Sequence, residues 1–270
     1  MHVVEPDKFP LDAAAKYTPK AHTLAQASTF LNQLGIKNMV IVQPSIYGND
    51  NSCTLDGLKN LGPKHGRAVI QFDPAVTSKQ QLQEWHEMGV RGVRINFKSV
   101  GAEPTAAELE STLREYADAV RSFGWPLELY IALENVPMLE SFVDGLGVKI
   151  IVDHLGHPTA KSLSDAQSAH DIAGFSSLLN LLKQGNTWVK MSATYRLSSD
   201  PSNKVIESLC KETLRARPDR IVFATDWPHT RFDNIDVSQY LEKVLDWIDE
   251  EGVSPHQVLV KNAEELFNCE

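Results

Sequence analysis

Seven short apolar runs, each followed by a helical pattern, recur along 270 residues with no charged linker or break in composition. That alternation predicts an α/β fold, a distorted (β/α)8 TIM barrel whose first strand is truncated. Residues 1–270 then read as a single domain, close to the roughly 250 residues such a barrel needs. A doubly wound open sheet is the competing architecture. No Gly-x-Gly-x-x-Gly follows the first strand, which weighs against its dinucleotide-binding version.

The elements follow in order. Met1 to Val4 is too short for a full strand, and a loop with Pro6, Pro10 and Pro19 comes next. A helix is expected over 21–34, then a buried strand over 38–42 that stops at Gln43-Pro44-Ser45. Residues 52–61 form a weak helix and 67–72 a strand. Ser78 with Gln81 is a capping-box pattern that opens the next helix. After a strand over 92–97, Thr105 with Glu108 is a second box. It introduces the clearest helix, with Leu109, Leu113, Tyr116, Val120 and Phe123 on one face. Gly124 ends it. Strands over 127–132 and 149–154 enclose a helix at 136–143. A loop rich in Ser, Ala and His leads to a helix at 171–184, a strand at 187–192 and a helix at 202–216. The last strand starts at Arg220. Asp236 with Gln239 opens another helix, and 255–267 is the last.

A barrel closes only when its first strand pairs on both sides. The stub leaves unpaired groups on its neighbours. The gap is therefore expected to be wet, covered by residues 5–20, or sealed by a partner chain in a homo-oligomer.

Composition narrows the function. Hydrophobic residues make up 42% and the net charge is −9, with no Lys/Arg block. That argues against nucleic acid and anionic membranes as partners. No run approaches membrane-spanning length and no signal-like start is present. Cys53, Cys210 and Cys269 are scattered, forming neither a disulfide framework nor a metal motif. A reducing, cytoplasmic setting is the natural reading.

Polar residues gather where the strands stop. Ile221 to Ala224 is an apolar run that ends at Asp226, with Trp227, Pro228 and His229 beyond. In parallel α/β folds ligands bind at the carboxyl ends of strands. A capping role for Asp226, or a pair with Arg231, is the plainer alternative. The other strand ends offer His2; Gln43, Ser45 and Tyr47; Arg94, Asn96 and Lys98; Tyr130; Asp153, His154 and His157; and Lys190, Ser192, Tyr195 and Arg196. Arg94 could hold a substrate anion or neutralise a carboxylate. Tyr130 could pack outside the barrel. Asp153 precedes His154, points to the opposite face and reads as structural. His157 reads as a loop residue.

His-Val near the start, Gln-Pro-Ser-x-Tyr-Gly at 43–48, Gly-Val-Arg-x-Asn-Phe at 92–97, Asp-His-x-Gly-x-Pro at 153–158, Lys-x-Ser-x-x-Tyr-Arg at 190–196 and Thr-Asp-Trp-Pro-His at 225–229 occur in that order. Nearly end to end, the chain resembles the amidohydrolase superfamily. It looks most like the branch that contains 2-pyrone-4,6-dicarboxylate lactonase and related lactonases. The resemblance implies a hydrolase that opens a small carboxylic acid lactone. It implies that Asp226 activates water, that His2 is the second histidine of a His-x-His motif and that His154 polarises the scissile carbonyl. Arg94, Tyr130 and Arg196 would hold substrate carboxylates, with Ser45, Tyr47, Asn96 and Tyr195 in the same binding set. Such chemistry needs a base for water and donors aimed at the developing oxyanion.

The sequence also departs from that pattern. The first histidine of His-x-His is absent, and Tyr130 stands where metal-binding members carry a strand-five histidine. His2, His154 and Asp226 fall short of a preformed zinc site, so no metal or other cofactor is expected and a weakly held zinc is not favoured. Val100 replaces a second arginine of the dicarboxylate enzymes, and Lys98 nearby offers a point charge rather than a fork. The competing functions are a catalytically inactive barrel acting as a binding protein and a metal-dependent aromatic-acid decarboxylase of the same superfamily.

Overall fold

The computed structural model describes residues 1–232 and 234–268, which leaves Cys269 outside the described residues. Seven parallel strands pair in chain order: β1 (Met39–Val42), β2 (Gly66–Ile70), β3 (Val90–Asn96), β4 (Leu127–Tyr130), β5 (Ile150–Val152), β6 (Thr187–Met191) and β7 (Ile221–Phe223). The eighth position is taken by the N-terminal stub. Val42 N donates to Met1 O at 2.8 Å and His2 N donates to Trp227 O at 2.8 Å, so residues 1–2 bridge β1 to the exit of β7. Val4 then turns away into an antiparallel bridge with His22. Of the three ways to close the gap, covering by residues 5–20 is the one observed. Phe9, Leu11, Ala15 and Tyr17 pack with Val3, Val4, Ile41 and Ile46. The apolar cover takes the place of strand pairing that a four-residue stub cannot supply.

The helices α1 (Leu24–Gln33), α2 (Ser52–Leu61), α3 (Lys79–Met88), α4 (Ala106–Val120), α5 (Ala160–Asp165), α6 (Phe175–Gln184), α7 (Lys204–Ala216), α8 (Ser238–Glu250) and α9 (Asn262–Phe267) complete the fold. Leu109, Leu113, Ala117 and Val120 of α4 are all buried, as the spacing requires. Leu266 and Phe267 of α9 pack on Ile151, Trp188 and Val222. Asn262 of α9 bonds the carbonyls of Pro218 and Ile221, at the start of β7. Helix α9 therefore stoppers the end of the barrel opposite the strand exits, and any ligand must enter from the exits.

Several local expectations change. No α-helix covers 136–143; two 3₁₀ segments, Leu133–Leu139 and Val143–Leu146, stand there. Pro137 inside the first has no N–H to give to an α-helical ladder. The Thr105–Glu108 box forms both bonds. Ser78 accepts from Gln81 N, but the Gln81 side chain bonds Glu84 instead of closing a box. Asp236 accepts from Ser238 N, so α8 starts later than a box with Gln239 would place it. Thr23 and Gln26 make a full box that the pattern reading passed over.

Helix α6 starts at Phe175 rather than 171 because Gly174 is left-handed, with φ +86°. A Cβ there would lie 1.8 Å from Leu133 O. At Gly252 φ is also positive, +65°, but nothing lies within 4 Å of the added atom. Gly252→Ala should cost about 1 kcal/mol of stability, the backbone preference alone. Gly174→Ala should cost at least about 3 kcal/mol, because backbone must move as well. Urea denaturation of the two variants makes the comparison, and equal losses would mean that α6 is not seated against Leu133 as described.

Candidate active site

The exits of β5, β6 and β7 are conformationally unusual. His154 (φ +52°), His157 (+43°), Ala193 (+58°), Asp226 (+56°) and His229 (+62°) are all left-handed without being glycine. Such positions cost about 1–3 kcal/mol each and cluster where function holds them. They turn side chains inward over the end of the barrel. A pocket of about 460 Å³, including its open mouth, lies there. That is the size of a small-molecule site. His2, Ser45, Arg94, Tyr130, His154, Arg196 and Asp226 line it, together with Tyr17, Ser99, Thr230 and Arg231.

Asp226 is the most constrained group. Its Oδ2 accepts from Tyr195 Oη and Arg196 Nε, each at 2.6 Å. Its Oδ1 lies 3.8 Å from His154 Nε2. Burial alone would raise the carboxyl pKa, but positive charge at His154, at Arg196 and at His2, with the Tyr195 hydrogen bond, holds it far below the ordinary range. Its partner is Arg196, and Arg231 is not paired with it. His154 is itself kept neutral, chiefly by burial. Its Nδ1 is 2.7 Å from Ser192 Oγ. If that hydroxyl donates, Nε2 carries the hydrogen and presents it toward Asp226 Oδ1 and the pocket. The other tautomer would set a lone pair against a carboxylate. His2 Nδ1 donates to Val42 O at 2.7 Å, which leaves Nε2 as an acceptor. Burial, followed by the charge of Arg94, pushes His2 down to about 3, so it too is neutral.

Beneath the pocket sits a buried layer of charge. Lys190 Nζ is 2.8 Å from Glu128 Oε1 and 2.7 Å from Asp153 Oδ1. Arg94 is 3.4 Å from Asp153 and 3.7 Å from Glu128. Arg94 thus does both jobs open to it, neutralising carboxylates below and lining the pocket above. Burial would lower the Lys190 ammonium pKa, but Asp153 and Glu128 raise it beyond its usual value. Burial, then the charge of Asp153, raises Glu128. Burial likewise works against the Asp153 anion, but Lys190 and neighbouring positive charge hold it low.

Other expected residues are placed differently. Tyr47 does not reach the pocket wall. It is buried in the N-terminal cluster, where its hydroxyl accepts from Glu5 N. Asn96 braces Ser99, which is the pocket residue. Tyr195 holds Asp226 from behind. Tyr130 faces the pocket, not the barrel exterior, and its hydroxyl is 2.8 Å from His157 Nδ1. His157 is therefore more than a loop residue. Neither Lys98 nor Val100 is among the lining residues. Glu128 and Lys190 were the strongest misses. A charged residue at alternate positions of an apolar strand was the available signal, since Glu128 shares a face with Tyr130 and Lys190 one with Trp188. Tyr17 and Arg231 come from loops, where spacing gives no direction.

The donors do not fit a zinc centre. Among the described residues no group of three or more His, Cys, Asp or Glu side chains is placed to hold one ion. One oxygen of Asp226 is also taken by a guanidinium. No step below runs through a metal. Among the described residues, no helix is long and apolar enough to cross a membrane, and Cys53 and Cys210 are free thiols.

Comparison with known proteins places this arrangement. The family described as Amidohydrolase matches residues 1–269. A 2-pyrone-4,6-dicarboxylate hydrolase of Comamonas testosteroni is 30% identical over 239 residues, covering 84% of this chain and 75% of that protein. A 4-sulfomuconolactone hydrolase of Hydrogenophaga intermedia is 29% identical over 277 residues, covering 98% and 86%. A crystal structure from Pseudomonas putida, carrying the name 2-pyrone-4,6-dicarboxylic acid hydrolase, superposes with a TM-score of 0.79 at 25% identity and covers 100% of this chain and 96% of that one.

The charge layer yields a stability prediction. Lys190→Met keeps the apolar stem and strands two buried carboxylates, which should cost about 3–5 kcal/mol. Adding Glu128→Gln removes one of them and should recover part of the loss. Chemical denaturation of both variants at pH 7 checks this. A double variant no more stable than the single would show that Glu128 carries no charge in the folded chain.

Proposed function

The chain belongs to the amidohydrolase family, and on that premise we propose that it is a hydrolase opening a lactone or similar cyclic ester of a small carboxylic acid. One observation carries the reading. An ionised Asp226 and a neutral His154 face each other at 3.8 Å in a pocket that also presents Arg94, Arg196 and Tyr130. Two lactone hydrolases among the relatives support the same class of substrate.

The proposed mechanism assigns each group one task. Arg94, with Tyr130 beside it, takes the acid group of the substrate. His154 Nε2–H donates to the carbonyl oxygen of the ester and meets the charge that develops there. A water between His2 Nε2 and Asp226 Oδ1 gives its proton to the carboxylate as its oxygen attacks the carbonyl carbon. Collapse of the tetrahedral intermediate breaks the ring C–O bond, and the alkoxide or enolate leaves with a proton. Arg196 and Tyr195 keep Asp226 aimed throughout. The decarboxylase alternative needs a metal for which the donor set is unsuited.

Asp226→Asn should lower kcat on any hydrolysed lactone by at least about a thousandfold, because an amide cannot take the proton. Arg94→Ala should act chiefly on KM. Assays over a panel of carboxylated lactones, with spontaneous hydrolysis subtracted, supply the measurement. Unchanged turnover in Asp226→Asn would remove the mechanism and favour a binding protein.

The pH profile is a separate test. Asp226 stays ionised and His154 titrates below its usual 6.5, so both hold their working states at and above that pH. The rate should stay level from pH 8 to 6.5 and fall only at lower pH. An acid limb centred at 6.5 or higher would mean that His154 is not kept neutral.

A further inference from the structure

Three guanidinium groups line the pocket, and they are not equivalent. Arg94 is 5% exposed and shared between Asp153 and Glu128. Arg196 is committed to Asp226. Arg231 is exposed at the mouth, and among the described residues it forms no ion pair. Its guanidinium carbon lies 4.6 Å from the centroid of the Tyr17 ring. Tyr17 belongs to the loop that covers the N-terminal stub and lines the same pocket. Arg231 is also left-handed, with φ +72°. A stacked guanidinium is steadied in one plane and keeps its N–H edge for a planar acid. Thr230, next to it in the lining, adds a hydroxyl.

The electrostatic balance points the same way. Asp226 is the single carboxylate in the lining, against three arginines. One acid group at Arg94 leaves the charge at the mouth unanswered. We propose that Arg231, steadied on Tyr17, forms a second anion subsite that selects substrates bearing two acid groups, one at Arg94 and one at the mouth. The inference rests on the lactone-hydrolase reading for the identity of the ring, but it requires no catalytic step.

The test uses two flat acids that cannot be hydrolysed, benzoate and benzene-1,3-dicarboxylate, with calorimetric titration at fixed salt. The wild-type protein should bind the diacid at least about tenfold more tightly, the size expected of one added charge-assisted contact. Arg231→Gln should bring the ratio to within about twofold, mostly by weakening the diacid. Arg231→Lys should restore part of the ratio, since it returns the charge without the planar fork. Tyr17→Leu should reduce the preference by loosening the stack. Equal wild-type affinity for the two acids, no binding of the diacid, or a preference that survives Arg231→Gln overturns the proposal. Lactone turnover is measured separately on the wild-type protein. An Arg231-dependent preference without turnover would overturn the hydrolase reading alone, and turnover without the preference would overturn this subsite alone.

Discussion

Two carboxylates and two cations share the barrel interior, and the candidate site depends on their balance. A lone buried carboxylate would neutralise itself or destabilise the fold. Glu128, Asp153, Arg94 and Lys190 instead compensate one another, with Lys190 touching both acids. The layer lies between an apolar stopper formed by Trp188, Ile151 and α9 and the open pocket. It costs desolvation and returns little net stability. What it supplies is position, because Arg94 is held from below while one side of it faces the ligand. The positive pocket floor is thus a property of the strands, set before any substrate arrives.

The catalytic carboxylate is held by a different rule. Arg196 and Tyr195 both bind Oδ2 and leave Oδ1 toward His154. That clamp makes Asp226 a weaker base, and it also fixes the direction of its free lone pairs. For ester opening the second effect outweighs the first, because a correctly aimed acceptor saves the entropy of finding the geometry. The left-handed backbone at Asp226 and His154 belongs to the same bargain. Each residue leaves its strand by a sharp turn that a relaxed backbone would not make.

Much of this was legible in the sequence, for identifiable reasons. All seven strands were visible because parallel strands buried on both faces read as unbroken apolar runs. Asp226, His154 and Arg94 were visible because each interrupts or ends such a run. Helix starts were less legible. The Ser78 and Asp236 patterns each named a capping box, and competing side-chain partners decided that neither closed. The helix expected at 136–143 failed on Pro137. Tyr47 and Tyr195 show the limit of motif reading. Each sits beside a pocket residue in sequence, yet 3₁₀ turns at 45–47 and 194–196 rotate their rings away. Glu128 and Lys190 required reading the strand faces in pairs across β4, β5 and β6, which no single stretch encodes.

The N-terminal stub links these strands of argument. Residues 1–2 complete the ladder between β1 and the exit of β7, and that same pairing sets His2 beside Asp226. The loop that follows buries the stub with apolar side chains and delivers Tyr17 to the pocket mouth. A segment recruited to close the barrel therefore supplies two residues of the pocket wall. Barrel closure and pocket composition are coupled through it, because a shift of the stub along β1 would break the His2–Val42 bond and move the acceptor nitrogen that faces Asp226. The short strand does not leave the site incomplete at its mouth. It frees the following loop to shape that mouth, where a full strand would have carried the chain past it.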